Sequence, residues 1–164
     1  MFSSDTQLSE QFYNGSHFQF LVLSRAVVET FTAEIAYLII SVTDPEQPEA
    51  RISESPFLQA ILRVKFHDIG KPNRIAEQFI NNSTDIYMTD DDAEQILSFV
   101  SEHISKVKLI VCHCEQGISR SAAIAAALSH ILQDEDEFFF KHYWVNRYVY
   151  DLLIANGNIL RNAV

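Results

Sequence analysis

Runs of apolar residues about as long as β-strands recur along the chain. They cover residues 17–23, 35–42, 58–66 and 106–112, and the second of them is continuous in its hydrophobicity. Continuous apolar runs are typical of strands in a sheet that is covered on both faces. The pattern therefore predicts a buried central sheet.

Segments of helical pattern lie between and after these strands. One face of a helix that begins after Thr89 is formed by five apolar residues: Ala93, Ile96, Leu97, Val100 and Ile104. Thr89 suits the N-cap of this helix, and Asp90, Asp91 and Asp92 suit the positive end of its dipole. Further helices are predicted at 25–31, 121–132, 134–143 and 145–155. Because strands and helices alternate, we expect an α/β fold with a mainly parallel central sheet of four to five strands flanked by helices.

The length of 164 residues suits one domain. Residues 1–16 are mostly polar and lack the pattern of a signal peptide, so we expect a polar N-terminal tail followed by a single domain at 17–164. Residues 43–56 contain three prolines and predict a loop. Residues 68–89 predict a long excursion with a helical turn around 75–80.

The charge balance narrows the range of partners. Twelve basic residues against 22 acidic ones leave a net charge of −10, which disfavours a nucleic-acid binder and docking on an anionic membrane. Two cysteines, Cys112 and Cys114, are too few and too close together for a disulfide-stapled secreted protein. We therefore expect a reducing, cytoplasmic setting. The oligomeric state does not follow from the sequence.

The loop from His113 to Ser121 (HCEQGISRS) joins the last predicted strand to an alanine-rich helix. A chain that turns into a helix N-terminus exposes successive backbone N–H groups, which form a concave anion site. Gly117 lets the backbone bend inward, and Arg120 offers a planar fork to two oxygens of an oxyanion. This positive environment favours the thiolate of Cys114. The loop therefore predicts a nucleophile at the bottom of a phosphate-sized cup.

The pattern HCxxGxSRS resembles the signature loop of the cysteine-dependent protein tyrosine phosphatase superfamily, in its dual-specificity form. The resemblance runs in chain order over about 61–153 and implies the fold of that superfamily. Gln116 departs from the alanine that is usual in the loop, which does not touch the chemistry. The segments LIISVTDP and ILRVKFHDI are similar to a prokaryotic branch of small tyrosine-phosphatase-like proteins.

The resemblance implies a role for each residue of the loop. Cys114 would attack phosphorus and form a phosphocysteine intermediate, and Arg120 would hold the equatorial oxygens. Ser121 would stabilise the departing thiolate, and His113 would order the loop and favour the thiolate. Substrate binding would fall to Glu115, Gln116, Gly117, Ile118, Ser119 and Arg120. The resemblance implies no metal and no cofactor.

The general acid is the least defined part of the expected site. The family places an aspartate after the strand that precedes the amphipathic helix, and Asp68 matches this position. Asp85 is the second candidate, because the stretch from Asp68 to the helix is longer than usual. Asn146 resembles part of a PN element of the family and is expected to support the loop, although Val145 replaces the proline.

These features predict a phosphatase that hydrolyses phosphotyrosine, with phosphoserine and phosphothreonine as further substrates. Its partners would be phosphorylated proteins or small phosphomonoesters. One alternative is a pseudophosphatase that binds phosphorylated partners without turnover. Another is a phosphatase of phosphoinositides or other non-protein phosphomonoesters, such as an RNA 5′-phosphate. The absence of lysine from the loop disfavours a phosphoinositide head group, and the acidic composition disfavours RNA.

Several residues around the motif have two interpretations. Cys112 is expected in the core, and the alternative is a resolving thiol for oxidised Cys114. Arg25, Lys71 and Arg74 are either ordinary surface charges or a basic rim that attracts phosphate. Trp144, like the phenylalanines at 138–140, is expected to pack between helices rather than to form a substrate platform.

Overall fold

The computed structural model describes residues 11–70 and 84–162. The helical turn expected around 75–80 lies outside the described residues. The strands of the sheet are β1 (Phe12–Asn14), β2 (Gln19–Ser24), β3 (Tyr37–Thr43), β4 (Leu58–Lys65) and β5 (Leu109–Cys114). The α-helices of the described residues are α1 (Arg25–Val28), α2 (Asp90–His103), α3 (Arg120–Gln133), α4 (Glu137–His142), α5 (Arg147–Ala155) and α6 (Asn158–Arg161), and a short 3₁₀ helix, Ile104–Lys106, follows α2.

Strand β5 lies at the centre of the sheet, whose order is β1-β2-β5-β3-β4. The pairs β2–β5, β5–β3 and β3–β4 are parallel, and β1 is antiparallel to β2. The prediction of an α/β fold with a mainly parallel sheet is confirmed. Ligands of such folds bind beyond the carboxyl ends of the strands, and Cys114 is the last residue of β5 at that edge.

The two faces of β5 belong to two different cores. Ile110, Cys112 and Cys114 join the core that includes α2, α3 and α5, while Leu109 and Val111 join the core on the α1 side. This alternation follows from the two-residue repeat of a strand. Cys112 is fully buried, and its burial raises the pKa of the thiol. The structure thus places Cys112 as a core residue.

Helix α2 begins at a capping box. The side chain of Thr89 accepts a hydrogen bond from the backbone N–H of Asp92, whose carboxylate in turn accepts one from the backbone N–H of Thr89. The apolar face predicted for this helix is buried against the sheet, from Ala93 to Ile104. The expected cap and face are therefore confirmed.

The expected boundary at residue 17 needs correction, because residues 12–14 form the edge strand β1. Tyr13 stacks on Phe138 with ring centroids 4.9 Å apart, and its hydroxyl donates to Glu135 at 2.8 Å. Phe12 packs against the core on the other face of the sheet. Tyr13 and Phe12 thus anchor β1 on the two faces of the sheet, although the sequence around them is polar. Within the described ranges, no helix combines the length and apolar character needed to cross a membrane.

Candidate active site

The candidate catalytic loop, residues 113–121, passes directly against the end of β2. Gly117 has a φ of 70°, a left-handed conformation that glycine adopts without strain. A Cβ atom at this position would lie 2.4 Å from the backbone nitrogen of Ser24 and 2.5 Å from the carbonyl carbon of Leu23. The close approach of the two backbones therefore requires glycine here.

Cys114 lies at the floor of the loop and is only 2% exposed. Its sulfur accepts a hydrogen bond from the backbone N–H of Gly117 at 3.2 Å. The hydroxyl of Ser121 lies 3.1 Å from the same sulfur. The sulfur thus faces one backbone donor and the N-terminus of α3, with a hydroxyl within hydrogen-bond distance.

Arg120 is held from one end of its guanidinium. Its Nη1 donates to Oδ1 of Asp44 at 2.7 Å and to the carbonyl oxygen of Phe66 at 2.6 Å. The side chain is 4% exposed, and its Nε has no hydrogen-bond partner within the part of the chain that the structure describes. The guanidinium is thus anchored through Nη1, and its Nε is a buried donor without a partner among the described residues.

His113 contacts β3 rather than the sulfur. Its Nε2 lies 2.7 Å from the hydroxyl oxygen of Ser41, and the residue is fully buried. Burial lowers the pKa of His113 to about 4, so the imidazole is neutral at pH 7. A neutral imidazole cannot stabilise a thiolate by its charge. The geometry supports a different contribution, because the contact with Ser41 holds the start of the loop against β3.

Asp68 lies beside the catalytic loop. Its Oδ1 accepts one hydrogen bond from the hydroxyl of Ser119 and another from the side-chain amide of Asn146, each at 2.8 Å. Asp68 is thus hydrogen-bonded both to the loop, through Ser119, and to the N-cap residue of α5, Asn146. Asp85 is exposed and precedes Ile86, whose backbone N–H donates to the ring of His67 at 2.9 Å.

Asn146 connects three parts of the site. Its backbone N–H donates to the carbonyl oxygen of Ser119 at 3.4 Å, and its side-chain nitrogen donates to Asp68. Its side-chain oxygen accepts from the backbone N–H of Val149 at 3.2 Å and so caps α5. The position can do this without the proline that Val145 replaces.

The acidic side chain in the loop, Glu115, is paired with a cation. Glu115 forms an ion pair with Arg25 at 3.1 Å, and the backbone N–H of Arg25 donates to the carbonyl oxygen of Glu115 at 3.2 Å. Arg25 therefore pairs with the loop instead of forming a free basic rim. Lys71 and Arg74, the other two candidates for such a rim, lie outside the described residues.

Asp44 is the functional residue that the sequence analysis missed. It follows β3 directly, at the sheet edge where ligand-binding residues gather, and its position in the motif VTDP is the signal that could have indicated it. It lay in a segment whose prolines and charges predict only a loop. Among the described residues, no cluster of three or more metal-ligating side chains is placed to hold a metal ion.

Comparison with solved structures shows which family of folds this chain resembles. No protein-family model matches the sequence, and no curated protein matches it. A mouse candidate dual-specificity phosphatase complexed with zinc tungstate is similar in structure, with a TM-score of 0.55 and 16% sequence identity over 98% of this chain and 94% of that chain. PTPMT1 in complex with PI(5)P is also similar, with a TM-score of 0.53 and 15% identity over 94% of this chain and 99% of that chain. The chain has the fold of the dual-specificity type of cysteine-dependent protein tyrosine phosphatases.

Proposed function

We propose that this protein is a phosphatase that hydrolyses phosphotyrosine through a phosphocysteine intermediate, with phosphoserine and phosphothreonine as further substrates. The observation that supports this most directly is the cup itself. It combines a buried cysteine whose sulfur lies within hydrogen-bond distance of a backbone N–H and a serine hydroxyl, a buried arginine whose Nε has no partner among the described residues, and an aspartate held at the edge of the loop.

In the first step the thiolate of Cys114 attacks phosphorus, and the bond from phosphorus to the leaving oxygen breaks. Asp68 gives its proton to that oxygen, while Arg120 and the backbone N–H groups of the loop hold the equatorial oxygens. Ser119 and Asn146 both donate to Oδ1 of Asp68, so the transferable proton belongs on Oδ2.

In the second step water attacks the phosphocysteine. The carboxylate of Asp68 takes a proton from the water, and the bond between phosphorus and sulfur breaks. The hydroxyl of Ser121, 3.1 Å from the sulfur, donates to the thiolate as it leaves. Phosphate and the starting thiolate result, so that atoms and charge balance without a metal ion.

The side chains of the loop favour a phosphoprotein or a small phosphomonoester over a phosphoinositide as the substrate, because of their charge. PTPMT1, a structural neighbour, is seen in complex with PI(5)P. In this chain, however, the variable loop positions are Glu115, Gln116, Ile118 and Ser119, and none of them is a cation. A polyanionic head group would meet acidic side chains around the cup. Both cysteines are free thiols, which suits the reducing cytoplasm.

Hydrolysis of para-nitrophenyl phosphate by the wild type and by Cys114→Ser tests the proposal. We expect turnover by the wild type and none by Cys114→Ser, while Cys112→Ala, the matched change two residues away, keeps its activity. Turnover that does not depend on Cys114 would contradict the mechanism. A wild type that binds a phosphotyrosyl peptide but never hydrolyses it would instead be a pseudophosphatase.

The dependence of the rate on the leaving group distinguishes Asp68 from Asp85 as the general acid. Asp68→Asn should lose rate most strongly with an alkyl phosphate, whose leaving oxygen needs a proton, and least with para-nitrophenyl phosphate. Asp85→Asn is the matched control and should behave like the wild type with both substrates. The reverse result would assign the general acid to Asp85.

A further inference from the structure

His67 has a hydrogen-bonding partner at each of its polar atoms, although the proposed reaction does not use it. Its backbone N–H donates to the carbonyl oxygen of Ile86 at 2.7 Å, and its own carbonyl oxygen accepts from the backbone N–H of Ile69 at 2.9 Å. Nδ1 of the ring accepts from the backbone N–H of Ile86 at 2.9 Å, and Nε2 lies 3.0 Å from Oε2 of Glu46. The backbone and the ring of His67 are therefore fixed together.

The partners of the ring decide which of its nitrogens carries the proton. A backbone N–H can only donate, so Nδ1, which receives the N–H of Ile86, is unprotonated. The neutral ring then carries its proton on Nε2 and donates a hydrogen bond to the carboxylate of Glu46. A hydrogen bond from its own backbone and this one from His67 lower the pKa of Glu46, so the acceptor is ionised. One tautomer thus satisfies both contacts.

The contacts of His67 set the position of Asp68, the next residue. The hydrogen bond between the carbonyl oxygen of His67 and the N–H of Ile69 closes a three-residue turn with Asp68 at its centre. Such a turn restricts the backbone angles of its central residue, and these angles set the direction of the side chain. Oδ1 of Asp68 accepts from the hydroxyl of Ser119 and the amide of Asn146, each at 2.8 Å. The turn and these contacts together hold the carboxylate beside the loop.

His67 also links the segments that anchor Arg120. The carbonyl oxygen of Phe66, the preceding residue, accepts from Nη1 of Arg120 at 2.6 Å, and the same nitrogen donates to Asp44 at 2.7 Å. Glu46, the partner of the His67 ring, is two residues after Asp44. The acid and the arginine of the proposed site therefore share one framework, and His67 joins the segments that follow β3 and β4 within it.

The segment of Ile86 has anchors of its own that do not depend on His67. Met88 is fully buried, and its carbonyl oxygen accepts from the hydroxyl of Tyr148 at 2.8 Å. Thr89 begins the capping box of α2. The chain that leads into α2 is thus held at Met88 and Thr89 without the histidine ring. Loss of the ring should therefore loosen the support of Asp68 and leave the fold in place.

We propose that His67 is a positioning residue, which fixes the general acid Asp68 by binding both backbone polar groups of Ile86. The inference rests on the proposed function and assigns the support of its acid. Asp85, the second candidate acid, precedes Ile86, so the same contacts lie beside both candidates. They act on Asp68, because the turn at His67 closes around it and its Oδ1 contacts the loop. Placement matters, because proton transfer needs the donor atom within about 2.6–3.2 Å of the leaving oxygen.

Kinetics of His67→Ala with two leaving groups test this role. The value of kcat/KM reports formation of the phosphocysteine, and a positioned acid contributes about 10²–10⁴-fold when the leaving oxygen needs a proton. We expect a fall of about tenfold for phenyl phosphate and of less than about threefold for para-nitrophenyl phosphate, because a displaced acid keeps part of its effect. The affinity for inorganic phosphate, measured by calorimetry, should stay unchanged. An equal fall with both substrates, or a matching loss of phosphate affinity, would overturn the proposal.

Two conservative variants separate the two contacts of the ring. The side-chain oxygen of His67→Asn lies where Nδ1 does and can accept from Ile86, while the amide nitrogen of His67→Gln reaches the place of Nε2 and can donate to Glu46. We expect His67→Asn to restore most of the rate with phenyl phosphate and His67→Gln to behave like His67→Ala. The reverse order would assign the role to Glu46 and contradict the proposal. His103→Ala removes a ring that is bonded within its own helix to Phe99, and as the matched control it should change neither rate.

A double mutant shows whether His67 acts through Asp68. In the Asp68→Asn background the addition of His67→Ala should cost nothing further, while in the Asp85→Asn background it should still cost about tenfold with phenyl phosphate. A further loss in the Asp68→Asn background equal to that in the wild type would place the effect of His67 elsewhere and refute its role in positioning the acid.

Failure of this proposal and failure of the proposed function give different results. A wild type without phosphatase activity would contradict the function, and the contacts of His67 are then tested by NMR. We expect ring-nitrogen signals of His67 with the proton on Nε2, and slow exchange of the Ile86 amide hydrogen that becomes faster in His67→Ala but not in His103→Ala. A proton on Nδ1, or an exchange rate that His67→Ala leaves unchanged, would overturn the contacts. An active wild type with the same leaving-group dependence as His67→Ala would overturn the positioning role alone.

Discussion

Asp44 balances a charge that is almost entirely removed from water, so its loss should destabilise the fold. The carboxylate lies 2.7 Å from Nη1 of Arg120, whose side chain is 4% exposed. Asp44→Ala would leave Arg120 with the carbonyl oxygen of Phe66 as the remaining acceptor of Nη1 among the described residues. Asp44→Asn keeps an acceptor oxygen but removes the negative charge.

The expected loss of unfolding free energy follows from the burial of Asp44 and Arg120. Breaking a fully buried ion pair from one side costs about 3–5 kcal/mol. The side chain of Asp44 is 29% exposed, so water can partly solvate the gap and we expect about 2 kcal/mol for Asp44→Ala. In a domain of this size that corresponds to a fall in Tm of about 4–8 °C. Asp44→Asn should lose about half as much, because a neutral hydrogen bond replaces a charge-assisted one.

Thermal unfolding followed by circular dichroism, with and without inorganic phosphate, measures this loss. Phosphate supplies negative charge to Arg120, so it should stabilise Asp44→Ala by more than it stabilises the wild type. Glu49→Ala removes an exposed ion pair with Arg63 and is the matched control, with an expected change below about 0.5 kcal/mol. An Asp44→Ala variant that unfolds like Glu49→Ala, with no larger response to phosphate, would refute the reasoning.

Two further predictions concern the loop and its pH dependence. Gly117→Ala should cost about 2–4 kcal/mol of unfolding free energy by denaturant titration, because its Cβ meets backbone atoms and its φ is positive. Gly70→Ala, whose Cβ would lie 3.2 Å from the side chain of Tyr148, should cost less than about 1 kcal/mol, and equal losses would count against a special role for Gly117. The pKa of His113 is lowered by burial to about 4, so the unfolded chain binds its proton first and stability falls as the pH drops from about 6.5 to about 4. Over this range the wild type should lose about 3 kcal/mol more than His113→Gln, and a variant that keeps the full wild-type slope would disprove the assignment.

The loop motif and the elements around it could be predicted because their signals are local. The strand β5, the turn at Gly117 and the helix α3 follow one another within about 25 residues, and each is determined by its own side chains. The cap and buried face of α2 are local in the same way. Local propensity and periodicity therefore place the candidate nucleophile and its arginine without knowledge of the rest of the chain.

The partners of the loop could not be predicted because they come from distant segments. Asp44 is 76 residues from Arg120, and Arg25 is 90 residues from Glu115. The position of Asp44 directly after β3 marks it as a residue of the ligand-binding edge, but nothing local shows that its partner is Arg120. The exposure of Trp144, 84%, could not be predicted for a related reason. An aromatic residue between two helices is expected to pack, and the sequence does not show whether another element lies there to cover it.

An acidic chain can still contain an anion site, because each carboxylate near this site has a hydrogen-bonding partner of its own. Four of them surround the cup, each with a partner: Asp44 with Arg120, Asp68 with Ser119 and Asn146, Glu46 with His67, and Glu115 with Arg25. The remaining negative charges act mainly through solvent, where the Debye length at physiological salt is about 8 Å. Inside the cup, donors at close range act on the phosphate with much less screening. A single dianion can therefore bind where a polyanion is repelled, and an uncharged ring beside the phosphate suits this protein better than a second phosphate.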